Sequence, residues 1–205
     1  MFTINRKKTA VIVGGAPLTM EDRRKICSVS TVIAVNHHFI RQQMKPNILF
    51  ANGSEAVMQP LATWMQCTGY YVPLLVVKAT TQSMEVSDFL EQNHKAVETI
   101  WWDLDRDDWV RRCDYDTLSF GGTPFTGVYA IYYALSLMSF KEIYVCGFNL
   151  YQRGVENKTV AERHGIEANA IVLWKLKKDN ARLKYSNELL DVVRQYREGY
   201  KLDVQ

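Results

Sequence analysis

TPFTGVYAIYYALSLMSFKEIYVCGFNLY, residues 123–151, reads as a turn, a helix, a tight connection and a strand that ends in a loop. Val128, Ile131, Tyr132 and Leu135 recur at i, i+3, i+4 and i+7, the apolar stripe of a helix packed on a sheet. Pro124 and Gly127 punctuate the helix start, and the Thr126 hydroxyl is placed to cap its first turn. Ile143, Tyr144, Val145 and Cys146 are apolar without alternation, as in a strand covered on both faces. Gly147 closes that strand, and Phe148, Asn149, Leu150 and Tyr151 follow at its carboxyl end. Ligands of open α/β sheets bind at that end. The positive dipole and unpaired N–H groups of a helix amino terminus beside it suit a phosphate.

The same alternation extends in both directions. Residues 10–13, 31–35, 48–51, 71–77, 98–102 and 182–185 read as further strands. Thr19-x-x-Asp22 has the form of a capping box for a short helix reaching Cys27. Helices are also expected at 55–67, weakly broken by Pro60, at 87–97, and at 164–179, where Ile166, Ala170, Leu173 and Trp174 share a face. A final helix carries Leu189, Val192, Val193 and Tyr196 on one side. Residues 103–116 and 152–163 read as polar loops. Strands alternating with helices imply a parallel sheet with right-handed crossovers, a single α/β domain of doubly wound, Rossmann-like form.

The totals narrow the function. With 25 Lys and Arg against 22 Asp and Glu, a net charge of +3 is too mild to indicate nucleic acid. Cys27, Cys67, Cys113 and Cys146 are widely spaced with no C-x-x-C, which reads as reduced thiols in a cytoplasmic protein. The apolar run after the basic start is too short for a signal peptide core, and no segment is long enough to span a bilayer.

The chemistry-bearing residues each admit two readings. Gly14, Gly15, Ala16 and Pro17 follow the first strand directly, so a phosphate can approach their backbone, or they simply form a tight βα turn. The G-x-G-x-x-G spacing of a dinucleotide site is missing. Asn36 and Asn52 stand just past the second and third strands, where an amide reads a base or sugar hydroxyl and where turns also favour Asn. His37 and His38, as neighbours at a strand end, point to opposite faces and do not share a metal ion. Asp103, Asp105 and Asp107 form overlapping D-x-D pairs after a strand, which either hold a divalent ion against a nucleotide diphosphate or belong to an ordinary charged loop. His164, at a helix start, is a base for a hydroxyl proton or a surface histidine. Tyr151 either donates to a leaving phosphate or rests on the sheet edge.

The stretch SFGGTPFTGVYAIYYALSLMSFKEIYVCGFNLYQRG, followed by HGIEANAIVLWKL, resembles the bacterial lipo-oligosaccharide sialyltransferases, glycosyltransferase family 42. VIVGGAPL, VIAVNHHF, LFANGS, FTGVYA, KEIYVCGFNLY and RHG stand in the order of that family's motifs over most of the chain, and the central stretch is the specific part. The resemblance implies a Rossmann-like GT-A variant without a functional D-x-D. It implies inverting, metal-independent transfer of a sugar from a CMP-activated donor, CMP-sialic acid or a relative, to a glycan hydroxyl. Asn36 and Asn52, with the turn at Gly14 and Gly15, would contact the donor. Thr126 and Gly127 would line it at the helix amino end. Tyr151 would hydrogen-bond the departing phosphate, and His164 would be the general base.

Departures from the family bear on catalysis. Gly15 and Leu18 replace an Asn and a Ser of the glycine turn, Thr123 replaces an arginine, Asn149 replaces an aspartate, and a second phosphate tyrosine has no match near Asn157. The segment between Tyr151 and His164 is shorter than the family's lid, so water competes for the donor or a second subunit covers the site. Two other readings therefore stay open beside the transferase: a nucleotide- or sugar-phosphate-binding protein without catalysis, and a metal-dependent nucleotide-diphosphate-sugar transferase using Asp103 to Asp107.

Overall fold

The computed structural model describes residues 9–78, 98–102, 124–150 and 159–202. Seven strands form one sheet: β1 (Thr9–Val13), β2 (Thr31–Val35), β3 (Ile48–Ala51), β4 (Leu74–Lys78), β5 (Glu98–Trp102), β6 (Glu142–Cys146) and β7 (Leu183–Tyr185). Their spatial order is β5-β4-β3-β2-β1-β6-β7, and every neighbouring pair is parallel. The helices are α1 (Met20–Ser28), α2 (Glu55–Thr68), α3 (Thr126–Leu137), α4 (Val160–Asp179) and α5 (Asn187–Leu202), and a 3₁₀ turn spans Asn36–Ile40. The fold is the doubly wound, Rossmann-like α/β architecture that the alternating pattern implies.

Both faces of the sheet are covered, which explains the unbroken apolar strands. Along β1, Ala10 and Ile12 pack into the core beneath α3, α4 and α5, while Val11 and Val13 pack on the other side with Leu18 and Ile26 of the α1 layer. Further along, Leu49, Leu75 and Val77 meet Met58, Leu61 and Met65 of α2. The alternation follows from successive side chains leaving a strand on opposite faces. Helix α3 is buried nearly all round, from Val128 to Ala134, rather than along one stripe. The Phe50 ring of β3 meets Tyr133 edge-on, with centroids 4.9 Å apart. At the other end of α3, the Arg182 guanidinium donates to the carbonyls of Leu135, Met138 and Phe140, a cation where the helix dipole is negative.

The capping box on α1 forms as read. Asp22 N–H donates to the Thr19 hydroxyl at 3.1 Å, and Thr19 N–H donates to the Asp22 carboxylate at 3.0 Å. Asp22 is fully buried and also accepts from the Tyr144 hydroxyl at 2.8 Å, tying α1 to β6.

Several sequence readings shift. The strand expected at 71–77 starts at Leu74 instead, because Pro73 has no N–H to give the ladder. Pro60 does not interrupt α2, which continues to Gly69 in a left-handed cap at φ +64°. Helix α4 begins at Val160, not His164, because Thr159 and Glu162 form a second capping box. His37 and His38 lie on the 3₁₀ turn rather than a strand end, and their ring centroids are 4.8 Å apart with the planes tilted by 36°. The helix expected at 87–97, the acidic loop at 103–116 and Cys113 lie outside the described residues. Cys27, Cys67 and Cys146 are free thiols.

Candidate functional site

After β1 the chain winds toward β2, and after β6 it winds the opposite way toward β7, so the carboxyl ends of β1 and β6 flank the topological switch point. A cavity of about 480 Å³ opens there. All six residues nominated for ligand contact line it: Gly14 and Gly15 after β1, Asn36 after β2, Asn52 after β3, and Thr126 and Gly127 at the start of α3.

The wall between β1 and β6 is a close backbone approach. Gly14 N–H donates to the Cys146 carbonyl at 2.9 Å, and Ala16 N–H donates to the Gly147 carbonyl at 2.8 Å. A Cβ on Gly14 would sit 2.3 Å from the Gly147 oxygen, so no side chain fits at that position. Gly147 itself has φ +71°, a left-handed conformation that glycine adopts without penalty. The chain therefore crosses from strand to loop at both switch-point strands with almost no side-chain bulk.

Helix α3 presents an open amino end. The expected cap by Thr126 does not form. Phe125 holds the extended cap conformation, φ −64° and ψ 150°, and Thr126 is already the first helical residue. The first backbone bond of the helix runs from Tyr129 N–H to the Phe125 carbonyl at 2.9 Å. The N–H groups of Thr126, Gly127 and Val128 and the Thr126 hydroxyl have no hydrogen-bond partner among the described residues, although Thr126 is nine-tenths buried. Asn169 of α4 holds this end in place: it accepts from Phe125 N–H at 2.8 Å and donates to the Gly165 carbonyl at 2.7 Å.

The two asparagines are linked. Asn36 Oδ1 accepts from Asn52 N–H at 2.9 Å, and Asn52 Oδ1 accepts from Ser54 N–H at 3.1 Å, opening α2. Asn36 has φ 54°, a left-handed conformation in which asparagine is tolerated better than most residues. Each side chain thus uses its carbonyl to hold a strand end, and its Nδ2 has no partner among the described residues. What the cavity offers a ligand is mostly hydrogen-bond donors: two amides, a hydroxyl and a helix amino terminus.

Two lining residues have no ligand-contact role in the sequence reading, which weighs His38 only with His37 as a metal pair. Phe148 packs its ring against the α3 start, where a Cβ on Gly127 would lie 1.9 Å from its Cε1. His38 packs against Gly15, where a Cβ would lie 2.6 Å from its Cδ2. Burial, reinforced by the charges of His37 and Arg41, holds the His38 imidazole below its ordinary pKa, so it is neutral near pH 7. The signal for Phe148 was its place directly after a strand-terminal glycine. For His38 no local signal existed, because the 3₁₀ turn sets where its ring goes.

Tyr151 lies outside the described residues. His164 stands in the second turn of α4, and its side chain lies outside the described part of the structure. Asp103, Asp105 and Asp107 also fall outside, and no cluster of three or more His, Cys, Asp or Glu side chains arranged for a metal occurs among the described residues. No described helix is long and apolar enough to cross a membrane. Compared with protein-family models, with curated proteins and with solved structures, the chain matches none.

Proposed function

We propose that this protein is a sialyltransferase-like inverting glycosyltransferase that takes a CMP-activated sugar as donor and a glycan hydroxyl as acceptor, without a metal. The observation that carries the reading is the meeting of six separately nominated residues, from four strand–helix connections, around one cavity at the switch point. Inverting displacement needs an ordered donor, a stabilised leaving phosphate and a base on the acceptor. The N–H groups of Thr126, Gly127 and Val128, which have no partner among the described residues, suit the phosphate. The Nδ2 groups of Asn36 and Asn52, without a partner among the described residues, suit acceptor atoms of the cytosine or the sugar. His164 and Tyr151 remain the nominees for base and leaving-group donor, from the motif resemblance alone.

The test has two stages. The first is thermal unfolding with CMP, CDP, UDP and GDP, each with and without Mg²⁺. A ligand at about a hundred times its Kd adds about 2.7 kcal/mol, which for a chain of this size raises Tm by about 5–10 °C. Stabilisation by CMP without metal is expected. Response only to a diphosphate with Mg²⁺ would transfer the reading to the acidic loop, and no response to any nucleotide would refute it. The second stage is transfer from CMP-sialic acid to a glycan acceptor, where His164→Ala abolishes turnover and leaves CMP affinity within about threefold.

A nucleotide- or sugar-phosphate-binding protein without catalysis is the second reading. What favours it is the set of departures from the family: Thr123 in place of an arginine, no match to the second phosphate tyrosine, and a short segment between Tyr151 and His164. CMP binding with neither transfer nor donor hydrolysis would select it.

A further inference from the structure

Among the described residues lining the cavity, His38 is the one with an ionisable side chain; the others are Gly, Ala, Pro, Val, Leu, Phe, Thr and Asn. No lysine or arginine is among them. Among these described lining residues an anionic ligand finds dipoles, amides and, once protonated, the His38 imidazole.

The placement of that ring is built by its neighbours. Gly15 leaves open the space that a side chain would fill: its Cβ would stand 2.6 Å from His38 Cδ2, 2.7 Å from Cγ and 3.2 Å from Nε2. The ring also neighbours that of His37, with centroids 4.8 Å apart and planes tilted by 36°. The 3₁₀ turn carrying both histidines is pinned to the glycine turn, because Gln42 Nε2 donates to the Ala16 carbonyl at 3.2 Å. A glycine without a side chain and a histidine that fills its space together bring a titratable group to the cavity wall.

We infer that His38 is the proton-linked anion contact of this cavity, taking up a proton as a phosphate-bearing ligand binds. Phosphate as the partner follows from the nucleotide-binding reading above. In the unliganded protein the ring is neutral at pH 7, since burial and the charges of His37 and Arg41 all oppose its protonation. Those two, on its own segment, are the charged or titratable groups acting on it; the glycine turn, β2, β3 and α2 contribute none among the described residues. A phosphate in the same cavity reverses the balance, because opposite charges in a partly desolvated site favour the ionised imidazole. Binding then strengthens as pH falls, and the protein takes a proton from solvent for each phosphate seated. No covalent change is involved.

The experiment measures CMP and inorganic phosphate affinity by calorimetry at about pH 7.5 and about pH 6 for the unaltered protein, His38→Gln and Gly15→Ala, with the histidine ring signals followed by NMR. Each ligand's own phosphate titrates alike with every variant, so differences between variants isolate His38. The unaltered protein should gain about fivefold in CMP affinity relative to His38→Gln on going to the lower pH. Its His38 signal, identified by its loss in His38→Gln, should titrate at higher pH once CMP is added. Gly15→Ala, which displaces the ring without removing it, should lose the same pH dependence. If CMP binds and the His38 titration does not move, the inference is overturned and the nucleotide reading stands. If inorganic phosphate shifts His38 and CMP binds no tighter than phosphate, the inference stands and the nucleotide reading falls. If neither ligand binds, both fall.

Discussion

Replacing Gly14 by alanine tests the switch-point geometry directly. The added Cβ would sit 2.3 Å from the Gly147 carbonyl oxygen, 2.9 Å from Phe148 Cδ2 and 3.0 Å from the Gly147 carbonyl carbon. Ordinary contact begins near 3.4 Å, so the overlap with the oxygen is about 1 Å. The oxygen cannot retreat freely, because it accepts the Ala16 N–H at 2.8 Å, while Gly14 N–H is committed to the Cys146 carbonyl at 2.9 Å. Separating the two backbones weakens both hydrogen bonds, about 1 kcal/mol each, and adds overpacking strain of about 1–3 kcal/mol. The stiffer unfolded chain of the alanine variant returns at most about 1 kcal/mol. A net loss of about 2–4 kcal/mol follows, read as a lower urea midpoint and a Tm lower by about 5–15 °C. Gly15→Ala is the matched control. The three atoms nearest its Cβ all belong to the His38 imidazole, a side chain that can rotate aside, so its cost should stay within about 1 kcal/mol. Equal losses for the two variants, or a Gly14→Ala protein as stable as the original, would refute the close-approach argument.

Three further expectations concern the frame around the site. Tyr144→Phe removes the 2.8 Å hydrogen bond to the buried Asp22 carboxylate and should lower unfolding free energy by about 1.5–3 kcal/mol; a change below about 0.5 kcal/mol would mean Thr19 and the Cys146 thiol suffice. Gly69→Ala puts a Cβ into the left-handed cap of α2 at φ +64°, where it meets no neighbour, so denaturant titration should show a loss of about 1 kcal/mol from backbone strain alone. His37 and His38 are both held below the ordinary imidazole pKa, mainly by burial, so the unfolded chain binds protons more readily than the folded one. Their contribution to stability is complete above about pH 6.5 and is lost as pH falls through it; the double Gln variant should show a flatter acid limb, and parallel curves would contradict the burial argument.

Much of the frame was legible because it rests on local rules. Apolar runs without alternation mark strands covered on both faces, and β1, β2, β3 and β6 were read to within a residue or two. The Thr19–Asp22 capping box is legible as a spacing, and Thr159–Glu162 has the same spacing, so the start of α4 at Val160 is encoded just as locally. The polar residues after β1, β2 and β3 could be nominated because strand carboxyl ends are where such sheets bind ligands. Thr126 was correctly placed at the cavity and wrongly given a capping role, since which residue takes the extended cap conformation depends on how Phe125 is held by Asn169, distant in sequence.

The sequence by itself determined the alternation of strands and helices, the burial of both sheet faces and the identity of six cavity residues, because periodicity, caps and glycine turns act over a few neighbouring positions. Only the tertiary structure decided that β6 returns beside β1, that Gly14 meets the Gly147 carbonyl, and that His38 occupies the space Gly15 leaves open. Those facts depend on contacts between segments more than a hundred residues apart or on a left-handed Asn36 that redirects the chain, and no local pattern encodes them.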